Sequence, residues 1–450
     1  MFLSVEELVL AVDGRILCKG NIKSVEKTVT DSRIADENSL FVPLKGEKFD
    51  GHDFFDDVYE KGCRVFLSSR DVTIPDSTVI MVSDTRIALA KIAECWILKV
   101  NPKKIAITGS VGKTTTKDMI ACVCSYIDKT LKTEGNFNND IGVPLTAFRL
   151  NDEKIAIFEM GMNHFGEIDY LSKIVHPEIA VITNIGHSHI ENLGSQEGIL
   201  KSKMEIINGM KDKGTLVLNG DDPLLFSVKD SCNMNIVYYG IDNPLCQVKA
   251  CEVKEEADSS SFLVDGVLYK VPVPGKHNIY NALSAVCVGK LLGGSKEQIK
   301  EGLLSFKPEG IRQNIINKDG CTYIVDCYNA APDSMLASLD VLRKTGSGRR
   351  IAVFGSVLEL GSMRDELLYK VGMKIKEYGV DELITVTADA LSINEGAKDS
   401  GFSNQKNFEN NSAVLEYLKE NIRENDVILI KGSRKYKMEE ISQGLLDVKC

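Results

Sequence analysis

The sequence predicts an α/β protein of several domains, with parallel sheets covered by helices. Between residues 105 and 126 a short apolar strand breaks into a glycine-rich turn that opens directly into a helical pattern. Strand, loop and helix in that order form the phosphate-binding unit of α/β folds. From residue 322 to 446 short apolar runs alternate with helical periodicity, as a doubly wound sheet requires. A chain of 450 residues, 43% of them hydrophobic, exceeds one ordinary domain and can fill two or three cores.

The first 98 residues read as one unit. Ser4 can cap a helix over Val5–Val12. Asn38–Leu44, Arg64–Leu67 and Val79–Val82 read as strands, and His52–Lys61 and Arg86–Lys99 as helices. Two polar stretches, Thr30-Asp-Ser-Arg33 and Lys45-Gly-Glu-Lys-Phe-Asp-Gly-His52, have the composition of loops. Asn101-Pro102 then punctuates the chain.

The stretch Ile105-Ala-Ile-Thr-Gly-Ser-Val-Gly-Lys-Thr-Thr-Thr116 organises the second unit. Backbone N–H groups of Gly109, Ser110, Val111 and Gly112, with the helix opening near Thr114 and Thr115, would face an anion. Lys113 would reach terminal phosphates and the Thr114 hydroxyl would sit on Mg²⁺. The strict G-x-x-x-x-G-K-[ST] pattern fails, because Ile107 stands in the place of its first glycine, and only the shorter T-G-x-x-G-K-T form fits. The loop Glu134–Pro144 carries Asn138 and Asn139, whose amides both donate and accept. The strand Lys154–Gly161 delivers Glu159 to its carboxyl end, and the strand Glu178–Gly186 delivers His187-Ser-His189. In open parallel sheets ligands gather at such ends. The helix Ser195–Ile207 carries Lys201, Lys203 and Glu205, which by pattern form a charged face. A strand over Gly214–Leu218 and a hairpin over Ser260–Val273, turning at Asp265-Gly266, follow. The helix from Pro274 to about Leu292 places Asn278 and Asn281 on one face, suited either to an adenine edge or to N-terminal capping.

Lys307-Pro-Glu-Gly310 reads as a linker, with Arg312 after it. Strands are expected over Thr322–Cys327, Arg350–Phe354, Glu382–Val386 and Asp426–Ile430. Helices are expected over Ser334–Lys344, Asp365–Tyr378, Ser412–Ile422 and Met438–Leu446. The strand ends carry Asp326, Glu359 and Lys431-Gly-Ser-Arg434, chemistry that suits a carboxylate or phosphate.

A net charge of −10 argues against a nucleic-acid partner. No apolar run reaches the ~18 residues of a membrane helix, and no secretory leader is visible, so a cytoplasmic protein is expected. The twelve cysteines form no paired spacing and read as reduced thiols filling cores.

Several stretches together resemble the Mur ligase family over almost the whole chain. They are Thr108–Thr116, Gly135–Thr146, Glu159-Met-Gly161, Thr183–His189, Gly194–Glu205, His277-Asn-Ile-Tyr-Asn281, Asp326-Cys-Tyr-Asn-Ala330, Leu358-Glu-Leu-Gly361 and Lys431-Gly-Ser-Arg434. The Gly-Asn-x-Asn-Asn loop, the Asp-x-Tyr-Asn-Ala stretch and Lys-Gly-Ser-Arg point to the branch that adds D-alanyl-D-alanine to UDP-N-acetylmuramoyl-tripeptide. The resemblance implies three domains: a UDP-sugar domain over 1–98, a central P-loop ATPase domain over 99–310, and a C-terminal Rossmann-like domain over 311–450 that brings the dipeptide. It implies ATP and Mg²⁺ as cofactors and a monomer without membrane insertion. Catalysis would fall to Lys113, His189 and Lys203, with Thr114, Glu159, His189 and Lys203 at the metal. Lys203 matches the family's carbamylated lysine, an anion once CO₂ is added. ATP contacts would come from 109–115, Asn278, Asn281, Arg312 and Asp326. Substrate contacts would come from Ser32, Arg33, Asn138, Asn139, Lys431, Ser433 and Arg434. Two stretches depart from the family pattern: Tyr-Asn-Ala-Asn reads Tyr328-Asn-Ala-Ala331, and Gly-Asp-Met-x-Glu-Leu-Gly reads Gly355-Ser-Val-Leu-Glu-Leu-Gly361. A same-fold ligase with another amine acceptor, and a nucleotide-binding protein without turnover, are the alternatives.

Overall fold

The computed structural model describes residues 1–211, 213–230, 232–308 and 313–446. Packing divides the chain into two units: Met1–Thr108 with Asp128–Ala180 and Glu205–Leu216, and Gly109–Ile127 with Val181–Met204 and Val217–Cys450.

Ser4 caps the first helix, Val5–Val12, in a capping box with Glu7, an arrangement worth about 1 kcal/mol. A five-stranded sheet follows in the order Arg15–Cys18, Thr78–Met81, Val65–Ser68, Ser39–Phe41, Lys27–Val29. The last four strands run parallel, so their carboxyl ends share one edge. Phe41, Phe55 and Phe66 meet edge to face beneath it. Asp84 caps the helix Thr85–Val100, and Asn101 ends it in the left-handed conformation.

A seven-stranded sheet has the order Val248–Lys249, Asn235–Gly240, Thr215–Asn219, Ile179–Ile182, Lys103–Thr108, Ile155–Glu159, Thr130–Lys132. Lys103–Thr108 leads into the phosphate loop and the helix Lys113–Ser125. The predicted hairpin forms, Ser260–Val264 against Val267–Val271, with Asp265 at φ 49° and Gly266 at φ 73°, the two-residue turn such a pair favours. The expected helix over Ser195–Ile207 is α-helical over Gln196–Met204 and tightens to a 3₁₀ turn over Glu205–Gly209.

The C-terminal sheet has the order Asn314–Lys318, Cys321–Asp326, Val427–Lys431, Arg350–Phe354, Glu382–Val386, Gln405–Phe408. Only Asn314–Lys318 runs antiparallel, so this is the expected doubly wound sheet with an added hairpin. Just past Glu382–Val386, Thr387 adopts φ 70° and ψ 163°, a region normally left to glycine.

Among the ordered segments to which pattern reading assigns no element are two helices and a strand. The helix Glu167–Val175 starts on a left-handed glycine. The helix Leu391–Asp399 has no side-chain cap, and the strand Gln405–Phe408 is a polar edge strand. Among the described residues eleven cysteines are all free thiols. Burial pushes the Cys63 thiol up to about 11 and the Cys124 thiol up to about 12, as core filler would behave. No helix of the described residues is long and apolar enough to cross a membrane.

Candidate active site

The phosphate loop is held open by the strand end that follows Ile179–Ile182. The Ser110 N–H donates to the Asn184 carbonyl at 3.1 Å, and the Val111 N–H donates to the Asn184 side chain at 3.0 Å. The Thr183 hydroxyl and the Asn184 amide both donate to the Val111 carbonyl, at 2.6 and 2.9 Å. A Cβ on Gly109 would lie 1.9 Å from Thr183 Oγ1, so only glycine fits. Gly112 turns at φ 83° to start the helix. Lys113 folds back and donates to the Gly109 carbonyl at 2.8 Å. The Ser110 hydroxyl is buried and has no hydrogen-bond partner among the described residues. An orphaned donor inside a loop of backbone N–H groups is the condition an anion relieves.

Around Lys113 lie the other expected catalytic groups of this unit. Lys203 is 1% exposed. Burial, and then the Lys113 charge, hold its pKa well below the ordinary lysine value, so the neutral amine is favoured. His189 starts a short helix at φ 65°, and its Nδ1 pairs with the Glu359 carboxylate. The His189 contact holds Glu359 below the ordinary carboxylate value against the opposing effect of burial, with the Lys113 charge adding to it. Next to it, Asp333 accepts from the His187 N–H at 3.0 Å and faces its Nδ1 at 3.2 Å.

The asparagine pair braces the site. Asn281 Oδ1 accepts from the Thr116 hydroxyl at 3.0 Å and lies 2.9 Å from the Cβ that Gly112 lacks. The Asn281 amide donates to Asn278 Oδ1 at 3.2 Å. Asp326 ends its strand in an ion pair with Lys431, Nζ to Oδ2 at 2.6 Å, and Lys431 is 2% exposed. Burial alone would raise the Asp326 carboxyl, but the Lys431 ammonium overrides it and holds it below its ordinary value. Ser433 is buried and accepts from the Leu358 N–H at 3.1 Å. Arg434 lies over the Tyr328 ring at 5.4 Å. Arg312 lies outside the described residues.

The first unit holds the remaining expected residues. The Asn138 amide donates to Glu159 Oε1 at 2.9 Å, and Glu159 is buried at the last position of its strand. Asn139 is engaged differently: its Oδ1 accepts from the Gly142 N–H at 2.8 Å, ahead of the helix Gly142–Ala147. Arg33 is exposed and clasps Asp31 at 2.6 Å, and the Ser32 carbonyl accepts from Lys61 at 2.7 Å. His52 Nδ1 faces Asp50 at 2.6 Å, while its Nε2 accepts from the Ser69 N–H at 3.0 Å.

Residues 107–289 match the Mur ligase middle domain, and residues 311–434 match the Mur ligase, glutamate ligase domain. A UDP-N-acetylmuramoyl-tripeptide–D-alanyl-D-alanine ligase of Bacillus subtilis is 38% identical over 431 residues, 94% of this chain and 93% of the relative. The chain belongs to the Mur ligase family. The Escherichia coli relative of the same name is 34% identical, with 94% of each chain covered. Among solved structures, MurF from Acinetobacter baumannii superposes with a TM-score of 0.92 at 32% identity, covering 100% of this chain and 99% of the other. MurF from Thermotoga maritima in complex with ADP gives 0.84 at 26% identity, covering 94% and 97%. This Mur ligase has the family's three-domain α/β architecture and is an ATP-dependent ligase.

Among the described residues no cluster of three or more His, Cys, Asp or Glu side chains forms a ready cation cage. The donors expected at the metal include the Thr114 hydroxyl and the Glu159 carboxylate, oxygen ligands of the kind Mg²⁺ takes alongside waters and substrate phosphates. Thr183 and Asn184 were legible only as family motif residues, and their bracing role depends on a strand distant in sequence. Glu359 stood out as a strand-end carboxylate and as part of a family motif, and nothing in its spacing pointed to His189.

Proposed function

We infer that this Mur ligase joins D-alanyl-D-alanine to UDP-N-acetylmuramoyl-tripeptide in the cytoplasm, as a monomer, with release of ADP and phosphate. The supporting observation is the phosphate loop with buried Lys203 beside Lys113 and His189 close by. The activity for which the Bacillus subtilis and Escherichia coli relatives are named supports the choice of substrates.

The peptide carboxylate takes the terminal phosphoryl group of ATP, and the acyl phosphate that results has a good leaving group. The dipeptide amine then attacks the acyl carbon, phosphate departs, and the amine proton goes to solvent. Loop N–H groups and Lys113 hold the phosphates and stabilise charge on the transferring oxygens. Thr114, Glu159 and His189 are the proposed Mg²⁺ contacts, and the ion neutralises phosphate charge when bound. Lys203, kept neutral, is proposed to take up CO₂ as a carbamate and to present a carboxylate to a second ion. Ser32, Arg33, Asn138 and Asn139 are assigned to the sugar-peptide, and Arg312 with Asn278, Asn281 and Asp326 to ATP. Lys431 and Ser433, both buried and bonded, would shape the dipeptide site from beneath, with Arg434 at its surface. The proposed domain limits are 1–98, 99–310 and 311–450.

Coupled ADP release, with each substrate omitted in turn, tests the reading. Release should require the sugar-tripeptide and D-alanyl-D-alanine together. Release with single amino acids instead would favour another amine acceptor, the reading that Ala331 and Ser356 motivate.

A further inference from the structure

Gln313 follows immediately on the expected ATP contact Arg312 and lies outside the family-motif stretches. Its backbone sits at φ 47°, uncommon for a residue other than glycine, asparagine or aspartate. Such a conformation persists only where the surroundings over-determine it, and here four hydrogen bonds do. The Gln313 N–H donates to Asp326 Oδ1 at 3.3 Å. Its side-chain amide donates to the Pro274 carbonyl at 3.3 Å. Its Oε1 accepts from the Asn278 amide at 3.1 Å and faces His277 Nε2 at 2.7 Å.

The Pro274 carbonyl decides the polarity of this group. A carbonyl only accepts, so it fixes the NH₂ of Gln313 toward itself, and likewise the NH₂ of Asn278, which donates to it at 2.8 Å. Gln313 Oε1 must then face His277, and His277 must carry its proton on Nε2. Burial keeps this imidazole below the ordinary histidine value, in keeping with a neutral ring.

From Gln313 two chains of contacts run outward. One passes through Asp326 to Lys431 and to the Ser338 hydroxyl, 2.6 and 2.9 Å from Oδ2. The other passes through Asn278 and Asn281 to Thr116, in the helix that the phosphate loop opens. The amides and the carboxylate along both chains have set donor and acceptor ends, so a shift at Gln313 is felt at both ends.

We propose that Gln313 is a positioning residue that ties the carboxyl end of strand Cys321–Asp326 to the phosphate loop, setting nucleotide affinity by where it holds Asn278. The inference rests on the reading of these residues as the ATP site. It predicts that nucleotide affinity depends on the Gln313 acceptor without Gln313 touching the nucleotide.

The test compares Gln313→Ala, Gln313→Asn and Gln313→Glu in the full chain, with ADP binding by calorimetry and His277 followed by ¹⁵N NMR of the imidazole. Asparagine tolerates positive φ and keeps an amide, so Gln313→Asn folds even if Gln313→Ala does not, but its shorter arm misses His277 and Asn278. Both variants should bind ADP about tenfold more weakly, the scale of one or two lost hydrogen bonds, raise the KM for ATP alike, and lose the fixed Nε2–H signal. Gln313→Glu keeps the Oε1 acceptor for His277 and Asn278 but turns a carboxylate oxygen towards the Pro274 carbonyl, so it should keep the Nε2–H signal while also weakening ADP binding. Wild-type ADP affinity in Gln313→Asn, or loss of the Nε2–H signal in Gln313→Glu, overturns the proposal. A wild-type chain that binds no ADP overturns the ATP-site reading instead.

Discussion

The carboxylate of Glu359 is paired with Nδ1 of His189, so a proposed metal contact is already engaged by a side chain 170 positions further along the chain. Glu359 pays for this with a left-handed backbone, φ 63°, and its carbonyl accepts from the Glu191 N–H at 3.2 Å. Glu359→Gln should release His189. The Mg²⁺ concentration giving half-maximal ADP release should fall about threefold, since a competing partner is gone. The Glu359 side chain is half-exposed, so Tm should move by no more than about 2 °C. An unchanged Mg²⁺ titration would separate Glu359 from the metal site.

Lys113→Ala removes the cation that the loop folds around. ADP release should fall by about a thousandfold or more, while far-ultraviolet circular dichroism stays that of wild type. Turnover near the wild-type level would remove Lys113 from phosphate transfer.

The neutral amine of Lys203 is the form that adds CO₂, giving a carbamate and one proton. In ¹³C-bicarbonate the wild type should show a carbamate carbonyl resonance that Lys203→Ala lacks. ADP release in the variant should drop about a hundredfold or more. Absence of that resonance in an active wild type would assign Lys203 a role as the plain amine.

Gly109→Ala puts a methyl group where Thr183 Oγ1 stands. The loop must move off its brace, and ADP affinity should fall about a hundredfold, as several aligned donors are lost together. Calorimetry with ADP measures this directly.

Asp50 gives the first unit a defined acid response. Burial opposes its charge, but hydrogen bonds from the His52 backbone and ring and the Arg70 charge depress its carboxyl to about 2. An unfolded aspartate titrates near 3.9. Its stabilisation is therefore complete above about pH 5 and is lost as the pH falls towards 2. The sole tryptophan, Trp96, is buried in this unit and reports its unfolding. The urea midpoint of Asp50→Asn should lie below that of wild type at pH 6, and the gap should close by pH 2.

What the sequence disclosed follows from how local each signal is. The phosphate loop, the Ser4 cap of the first helix, and the hairpin at Asp265-Gly266 are written in neighbouring residues, and all three form as expected. The alternation that predicted the C-terminal sheet is local as well. The brace of Thr183 and Asn184 on the loop, the His187–Asp333 contact and the bonds of Gln313 join residues tens to more than a hundred positions apart, which no periodicity encodes. Asn139 shows the limit from the other side. Its composition suited a ligand, and its Oδ1 accepts from the Ile141 and Gly142 N–H groups just ahead of the helix Gly142–Ala147, bonds that composition does not reveal. The strand Gln405–Phe408 escaped notice because an edge strand with polar faces lacks the apolar run that marks its inner neighbours.

Thr387 leaves this ligase with unused thermal headroom. A branched side chain held where glycine normally sits costs about 1–3 kcal/mol, more than a glycine would forfeit in chain entropy. One exchange at that position would harden the C-terminal sheet, and the gain could absorb a damaging substitution elsewhere, giving the lineage room to change its pocket without losing its fold.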